Sequence, residues 1–270
     1  MASDPFRIRD HVAAFDDIVA EIRERSAETR RRLRMSGGVA YGTGQGETLD
    51  LFWPANPAPG APVHIFIHGG YWRMFSKDDY SYVADTICSA GAIAVIVDYA
   101  LMPGVRMATI VDQMQRAKAW VRERIGHFGG DPARLTVSGH SAGAHLASFL
   151  FETQGSGVKA ALLLGGLYAL KPLQTSFLMD EIGLTDEEVA QFSPMTRPHD
   201  PQTQVDILVG SEETPPFHAQ ADQFRDHLAN QGLVVTRSNV TGRNHMDSVR
   251  DLGIATSDAG RSLDRLIRKS

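Results

Sequence analysis

The amino-acid sequence predicts an α/β fold: a mostly parallel central sheet with helices on both faces and a small cap inserted late in the chain. Three observations carry this. Short apolar runs alternate with helical periodicity along most of the chain, the order expected of parallel strands joined by crossover helices. One run, residues 92–97 (AIAVIV), is almost wholly apolar, as a strand covered on both faces should be. A glycine-flanked serine, Gly139-His140-Ser141-Ala142-Gly143, sits where a strand pattern gives way to a helix pattern.

The elements follow in order. Residues 11–34 carry Val12, Phe15, Ile18, Val19 and Ile22 at helical spacing. The basic run Arg30-Arg31-Arg32 with Arg34 reads as the solvated end of that helix. Residues 48–54 alternate like a strand, and Asn56-Pro57-Ala58-Pro59-Gly60 punctuates a turn. Residues 63–67 form a short apolar strand ending in His68-Gly69-Gly70. Asp78 and Asp79 are placed to cap a helix beginning near Tyr80. Residues 83–88 are helical and apolar, which makes Cys88 a buried packing thiol. After the strand at 92–97, residues 107–126 form a helix with Ile110, Met114, Ala117 and Val121 on one face. A strand at 135–138, a helix at 142–151 and a strand at 160–164 continue the alternation.

The periodicity changes over residues 168–199, where Pro172, Pro194 and Pro198 bracket a short helical pattern at 185–189. This segment reads as a cap over the C-terminal edge of the sheet, inside a single domain spanning 1–270. The alternation resumes with a strand at 205–209, a helix at 217–230, a strand at 233–240 and a final helix ending near Ile267.

Bulk properties exclude several function classes. A chain of 270 residues with 43% hydrophobic and 22% charged residues suits one large globular domain. The net charge of −5 gives no reason to expect nucleic acid or an anionic membrane as partner. No stretch approaches the roughly 20 apolar residues of a membrane span, and the first residues lack a signal peptide's apolar core. Cys88 is the single cysteine, so no internal disulfide can form and a reducing cytoplasm is the expected compartment. The expected partner is a small-molecule substrate, with homodimerisation left open.

The serine motif is the strongest chemical signal. A sharp turn between strand and helix projects the hydroxyl of Ser141 above the sheet, with Gly139 and Gly143 clearing space. This is the nucleophile elbow of the α/β-hydrolase fold, against the plainer reading of a serine that merely caps a helix. His68-Gly69-Gly70-Tyr71-Trp72 supplies a second part. An acyl-transfer intermediate carries an oxyanion that needs preorganised donors, and such enzymes take them from this kind of loop and from the residue after the nucleophile. Here those are the backbone N–H groups of Gly70, Tyr71 and Ala142. His68 reads as a loop anchor.

Acid and base should follow in the order serine, carboxylate, histidine. Both Glu212 and Glu213 lie in the loop after the strand at 205–209, at the sheet edge where the site must form. Either could be that acid, or a solvated loop charge. His245 follows the last strand in the loop Thr241-Gly242-Arg243-Asn244-His245-Met246-Asp247, whereas His218 and His227 fall on the intervening helix. His245 is therefore the expected general base. Trp72, Phe177 and Phe217, with Tyr71, are read as an aromatic lining for the leaving group, although aromatics so placed equally serve a core. Gly69 and His140 are read as further residues against the substrate. No histidine, cysteine or carboxylate spacing suggests a metal, and no cofactor is expected.

With these residues placed, the chain resembles the arylformamidase (kynurenine formamidase) branch of the α/β-hydrolases, near the hormone-sensitive-lipase-like esterases. The likeness runs from about residue 48 to 250. His68-Gly69-Gly70-Tyr71-Trp72 is similar to the branch's H-G-G-x-W, and Ser76-Lys77-Asp78 and Ser193-Pro194 are similar as well. Gly139 to Leu146 fits this branch and related esterases alike. Thr214-Pro215-Pro216-Phe217-His218 resembles the loop in which the acid precedes a small residue and a proline, which selects Glu213, where the family usually has aspartate. Met179-Asp180 stands where the branch has an asparagine. The resemblance implies hydrolysis of N-formyl-L-kynurenine to kynurenine and formate, a step of tryptophan catabolism. The histidine-rich H-x-G-T-H-x-D motif of the unrelated metal-dependent formamidases is absent from the sequence. Two other readings are a carboxylesterase of small acyl esters and a non-catalytic binding protein, which should have lost a member of the triad.

Overall fold

The computed structural model describes residues 3–270. Eight strands form one sheet: β1 (Met35–Ala40), β2 (Thr48–Phe52), β3 (Ala61–Ile67), β4 (Ile93–Val97), β5 (Gly130–His140), β6 (Val158–Leu164), β7 (Gln204–Gly210) and β8 (Val235–Val240). Their spatial order is β1-β2-β4-β3-β5-β6-β7-β8. β2 pairs antiparallel with β1 and β4, and β3 to β8 run parallel to one another. The helices are α1 (Ile8–His11), α2 (Phe15–Arg32), α3 (Ala84–Ser89), α4 (Met107–Arg124), α5 (Ala142–Phe149), α6 (Leu178–Ile182), α7 (Asp186–Phe192), α8 (Pro215–Asn230), α9 (His245–Leu252) and α10 (Asp258–Arg268). No described helix is long and apolar enough to cross a membrane.

The apolar runs occupy the middle of the sheet. Every residue of β3 and β4 is buried, because helices cover both faces there. Each fully buried Ile, Val or Phe contributes about 1.5–3 kcal/mol relative to exposure, so these strands dominate the core. β8, at the edge, alternates instead, and it starts at Val235, two residues later than the sequence pattern suggests, with Val234 65% exposed before it.

Four local expectations change. The helix over 11–34 is shorter, starting at Phe15, and the residues before it form α1 and a strap discussed below. Arg30 is not solvated: it pairs with the fully buried Asp50, which also accepts from Gly38 N at 2.7 Å. A buried carboxylate left without such partners would be strongly destabilising, so β2 draws the helix end onto the sheet. Gly38 belongs to β1, a glycine-interrupted strand that the sequence pattern does not announce. Asp78 and Asp79 cap no helix. Asp79 accepts from Ser76 N and pairs with Arg23, while Asp78 pairs with Lys77 and Arg30.

The segment 168–199 holds α6 and α7 between β6 and β7. Thr185 and Glu188 form a reciprocal capping box at the start of α7. Arg106 clamps the segment to the body, donating to Glu188 and to the carbonyl oxygens of Ile182 and Gly183.

Candidate active site

The parallel strands deliver the chemistry to one edge. Ser141 follows β5, Glu213 follows β7, His245 follows β8, and the His68–Trp72 loop follows β3, all at C-terminal strand ends.

Ser141 adopts φ 56°, ψ −120°, a conformation L-residues rarely take. Close packing holds it there. A Cβ on Gly139 would lie 2.1 Å from Gly143 O, and one on Gly143 would lie 2.0 Å from Ile67 O. Only glycine at both positions allows β5 and α5 to meet at this angle. Ala142 opens α5, so its N–H is among the donors that have no partner within the helix.

The loop after β3 is strained in the same sense. Tyr71 and Trp72 take φ 50° and 58°, and Arg73 N and Met74 N both donate to Gly70 O. Gly69 lies against the elbow, where a Cβ would come within 2.9 Å of His140 O and 3.2 Å of Ser141 Cβ. Gly70 and Tyr71 border the same cavity as Ser141.

His245 Nδ1 donates to Glu213 Oε2 at 2.8 Å, with both side chains buried. Glu213 Oε1 accepts from Gly210 N at 3.0 Å, which folds the longer side chain back onto its own loop. Gly165, at φ 54°, gives this pair its room: a Cβ there would sit 3.0 Å from Glu213 Oε1 and 3.1 Å from the His245 ring. The sequence reading missed Gly165, although a glycine directly after an apolar strand is the available signal. His245 is also not in a loop. It is the first residue of α9, whose N-cap Asn244 accepts from Met246 N and Asp247 N. Asn244 followed by Asp247 is a helix-start signature that could have been read. Glu212 is exposed, and its backbone N donates to Arg243 O.

The histidines around the elbow make structural contacts. His64 bridges Thr136 and Ser138 at 2.7 and 2.6 Å, and burial pushes it down to about 3. His145 accepts from Trp72 Nε1 at 3.2 Å and donates to Phe192 O at 2.8 Å, and burial lowers it to about 4. His68 bonds its neighbour's carbonyl and stacks on Tyr99. His140 borders the cavity and donates from Nε2 to His245 O at 3.1 Å. Burial, reinforced by the adjacent His245, holds His140 well below the usual histidine range.

A cavity of about 200 Å³ opens over Ser141 and His245. Tyr71 and Phe177 line it, their rings edge-to-face at 5.4 Å. Two expected lining residues do not reach it. Trp72 is fully buried and turned onto His145, because its indole N–H needs an acceptor inside the core. Phe217, in the first turn of α8, backs the His245 ring at 4.7 Å instead of facing the cavity. Gly69 serves clearance and likewise lies outside the lining. Met179 is 57% exposed and is not among the residues lining the cavity.

The sequence reading also missed the strap formed by residues 4–10. Tyr71 Oη donates to Phe6 O, Thr214 Oγ1 to Pro5 O at 2.7 Å, and Phe177 N to Asp4 Oδ2 at 2.6 Å. The strap thus ties together the loop after β3, the acid loop and the segment 168–199. Burial, together with the charges of Glu213 and Asp4, keeps the Tyr71 phenol well above its usual range and therefore a hydrogen-bond donor.

The chain is similar in sequence and in fold to known hydrolases. Kynurenine formamidase from Danio rerio is 28% identical over 262 residues, covering 92% of this chain and 88% of its own. An esterase from Mycobacterium tuberculosis is 34% identical over 157 residues, covering 52% of this chain and 37% of its own. In fold, a provisionally assigned thioesterase from Silicibacter sp. TM1040 superposes with a TM-score of 0.85 at 23% identity, covering 98% of both chains. A family model described as the alpha/beta hydrolase fold matches residues 64–246, from within β3 to the second residue of α9. That match takes in the serine turn, the glutamate–histidine pair and most of the chain, and the protein belongs to the alpha/beta hydrolase fold family.

Proposed function

We propose that this protein is a serine hydrolase that cleaves the formamide bond of N-formyl-L-kynurenine, releasing kynurenine and formate. The observation that carries the reading is the buried contact of 2.8 Å between His245 Nδ1 and Glu213 Oε2, beside the strained Ser141. Glu213 holds His245 in the tautomer whose Nε2 lone pair is free to act as base. Ser141 Oγ attacks the formyl carbon as its proton passes to His245 Nε2. The oxyanion is taken by the N–H groups of Gly70, Tyr71 and Ala142. His245 then protonates the departing aryl nitrogen, breaking the C–N bond and leaving a formyl ester on Ser141. Water, deprotonated by His245, hydrolyses that ester to formate. No metal or organic cofactor enters these steps.

Residues 168–199 act as a short cap that brings Phe177 to the cavity, and His140 lines it beside Ser141 while Gly69 gives the elbow clearance. The similarity to a formamidase over nine-tenths of the chain supports the formamide. A carboxylesterase of small acyl esters is the second reading. It is favoured by the shorter match to the mycobacterial esterase and by the absence of Trp72 and Phe217 from the cavity wall. A cytoplasmic enzyme fits the lone, buried Cys88.

An amide is harder to cleave than an activated ester, so a formamide preference requires the aryl portion's binding energy to be expressed in the transition state. The expected result is a kcat/KM on N-formyl-L-kynurenine at least about tenfold above that on p-nitrophenyl acetate. Free turnover of acetyl and butyryl esters with no action on N-formyl-L-kynurenine would leave the esterase reading in its place.

A further inference from the structure

The mouth of the cavity carries charge that the hydrolytic steps do not use. Arg7 and Asp10 both border it, one helical turn apart, joined through Asp10 N donating to Arg7 O at 2.9 Å. Their neighbours are committed elsewhere: Arg9 pairs with Asp16, and Arg73 pairs with Glu181 across the mouth. Among the described residues, neither Arg7 nor Asp10 has an ion-pair partner.

Arg7 is nonetheless held in place. Its guanidinium lies over the ring of Phe177, 4.7 Å from the centroid, and so faces the wall of the cavity. Asp10 accepts from Ser3 Oγ through one carboxylate oxygen, which leaves the other available. The strap beneath them is anchored at Pro5, Phe6 and Asp4, so both charges ride on a fixed segment.

We propose that Arg7 and Asp10 form a subsite for the zwitterionic headgroup of an α-amino acid, with Arg7 taking the carboxylate and Asp10 the ammonium. Arg7 is the residue before α1 and Asp10 lies within it, and the turn closed by Asp10 N on Arg7 O sets both side chains at the one cavity mouth, where they can meet the two charges borne by one α-carbon. Two opposite, unpaired charges select a zwitterion over a simple anion, because either group alone would leave the other uncompensated. Guanidinium suits the carboxylate through its paired donors. This subsite rests on the formamidase reading only for the identity of the substrate: kynurenine carries such a headgroup on an aryl ketone.

The test is calorimetric binding of L-kynurenine and of 2′-aminoacetophenone, the same aryl ketone without the headgroup. Wild-type protein should bind L-kynurenine about tenfold more tightly, the scale of one charge-assisted hydrogen bond. In Arg7→Met that advantage should vanish, in Asp10→Asn it should shrink, and Arg7→Lys should recover part of it. A general disturbance of the strap would weaken both ligands together, so the ratio separates recognition from structure. The subsite is wrong if wild type shows no preference, or if Arg7→Met keeps it. Should the preference depend on Arg7 while N-formyl-L-kynurenine is not hydrolysed, the subsite stands and the proposed reaction falls.

Discussion

Ser141→Ala and His245→Ala are each expected to lower kcat by about 10⁶-fold, because members of a triad act as a unit and removing one forfeits nearly the whole effect. The fold should survive both changes. The strained turn at Ser141 is imposed by the packing of Gly139 and Gly143, which alanine at 141 leaves untouched. His245 opens α9 through its neighbour Asn244, so helix capping persists without the imidazole. Purified variants should keep wild-type circular dichroism, and the small residual rate should be what the oxyanion hole and binding alone supply. Near-normal turnover by either folded variant would remove the serine-hydrolase reading.

Glu213→Gln should lower kcat by about 10⁴-fold, with little change at Glu212→Gln. Glutamine keeps the shape but not the electrostatics. Its amide oxygen would remain on Gly210 N, so the amide nitrogen would face His245 Nδ1. That arrangement favours the tautomer protonated at Nε2, which cannot accept the Ser141 proton. Glu212 is exposed, and its loss removes a solvated charge. Steady-state rates of the two variants decide the matter. A crippled Glu212→Gln beside an active Glu213→Gln would contradict the buried pair.

These two expectations rest on the part of the molecule most legible in the sequence. The elbow could be read because its chemistry is local: two glycines, a serine and the change from strand to helix period all lie within a few residues. The mostly parallel sheet followed from the alternation of strand and helix patterns, and β3 and β4 showed themselves as apolar runs. Choosing between Glu212 and Glu213 needed a family resemblance, since both follow the same strand. In the fold Glu213 is buried and Glu212 exposed.

What stayed hidden was long-range or orientational. An irregular strap at residues 4–10 has no periodicity to reveal that it crosses the site more than 200 residues away from Thr214. Trp72 and Phe217 are aromatic and adjacent to functional residues, but their spacing could not say which side they face. The need of the Trp72 indole for His145 Nδ1 decided one, and packing behind His245 decided the other. Arg30 looked like one of a solvated run because its partner, Asp50, is buried on a strand 20 residues later.

The most direct measurement is covalent labelling with a fluorophosphonate, followed by intact-mass and peptide mass spectrometry. One adduct per chain is expected, on Ser141, formed much more slowly in Glu213→Gln and absent in Ser141→Ala. An unlabelled wild-type protein, or an adduct on another residue that persists in Ser141→Ala, would contradict the assignment of Ser141 as the nucleophile.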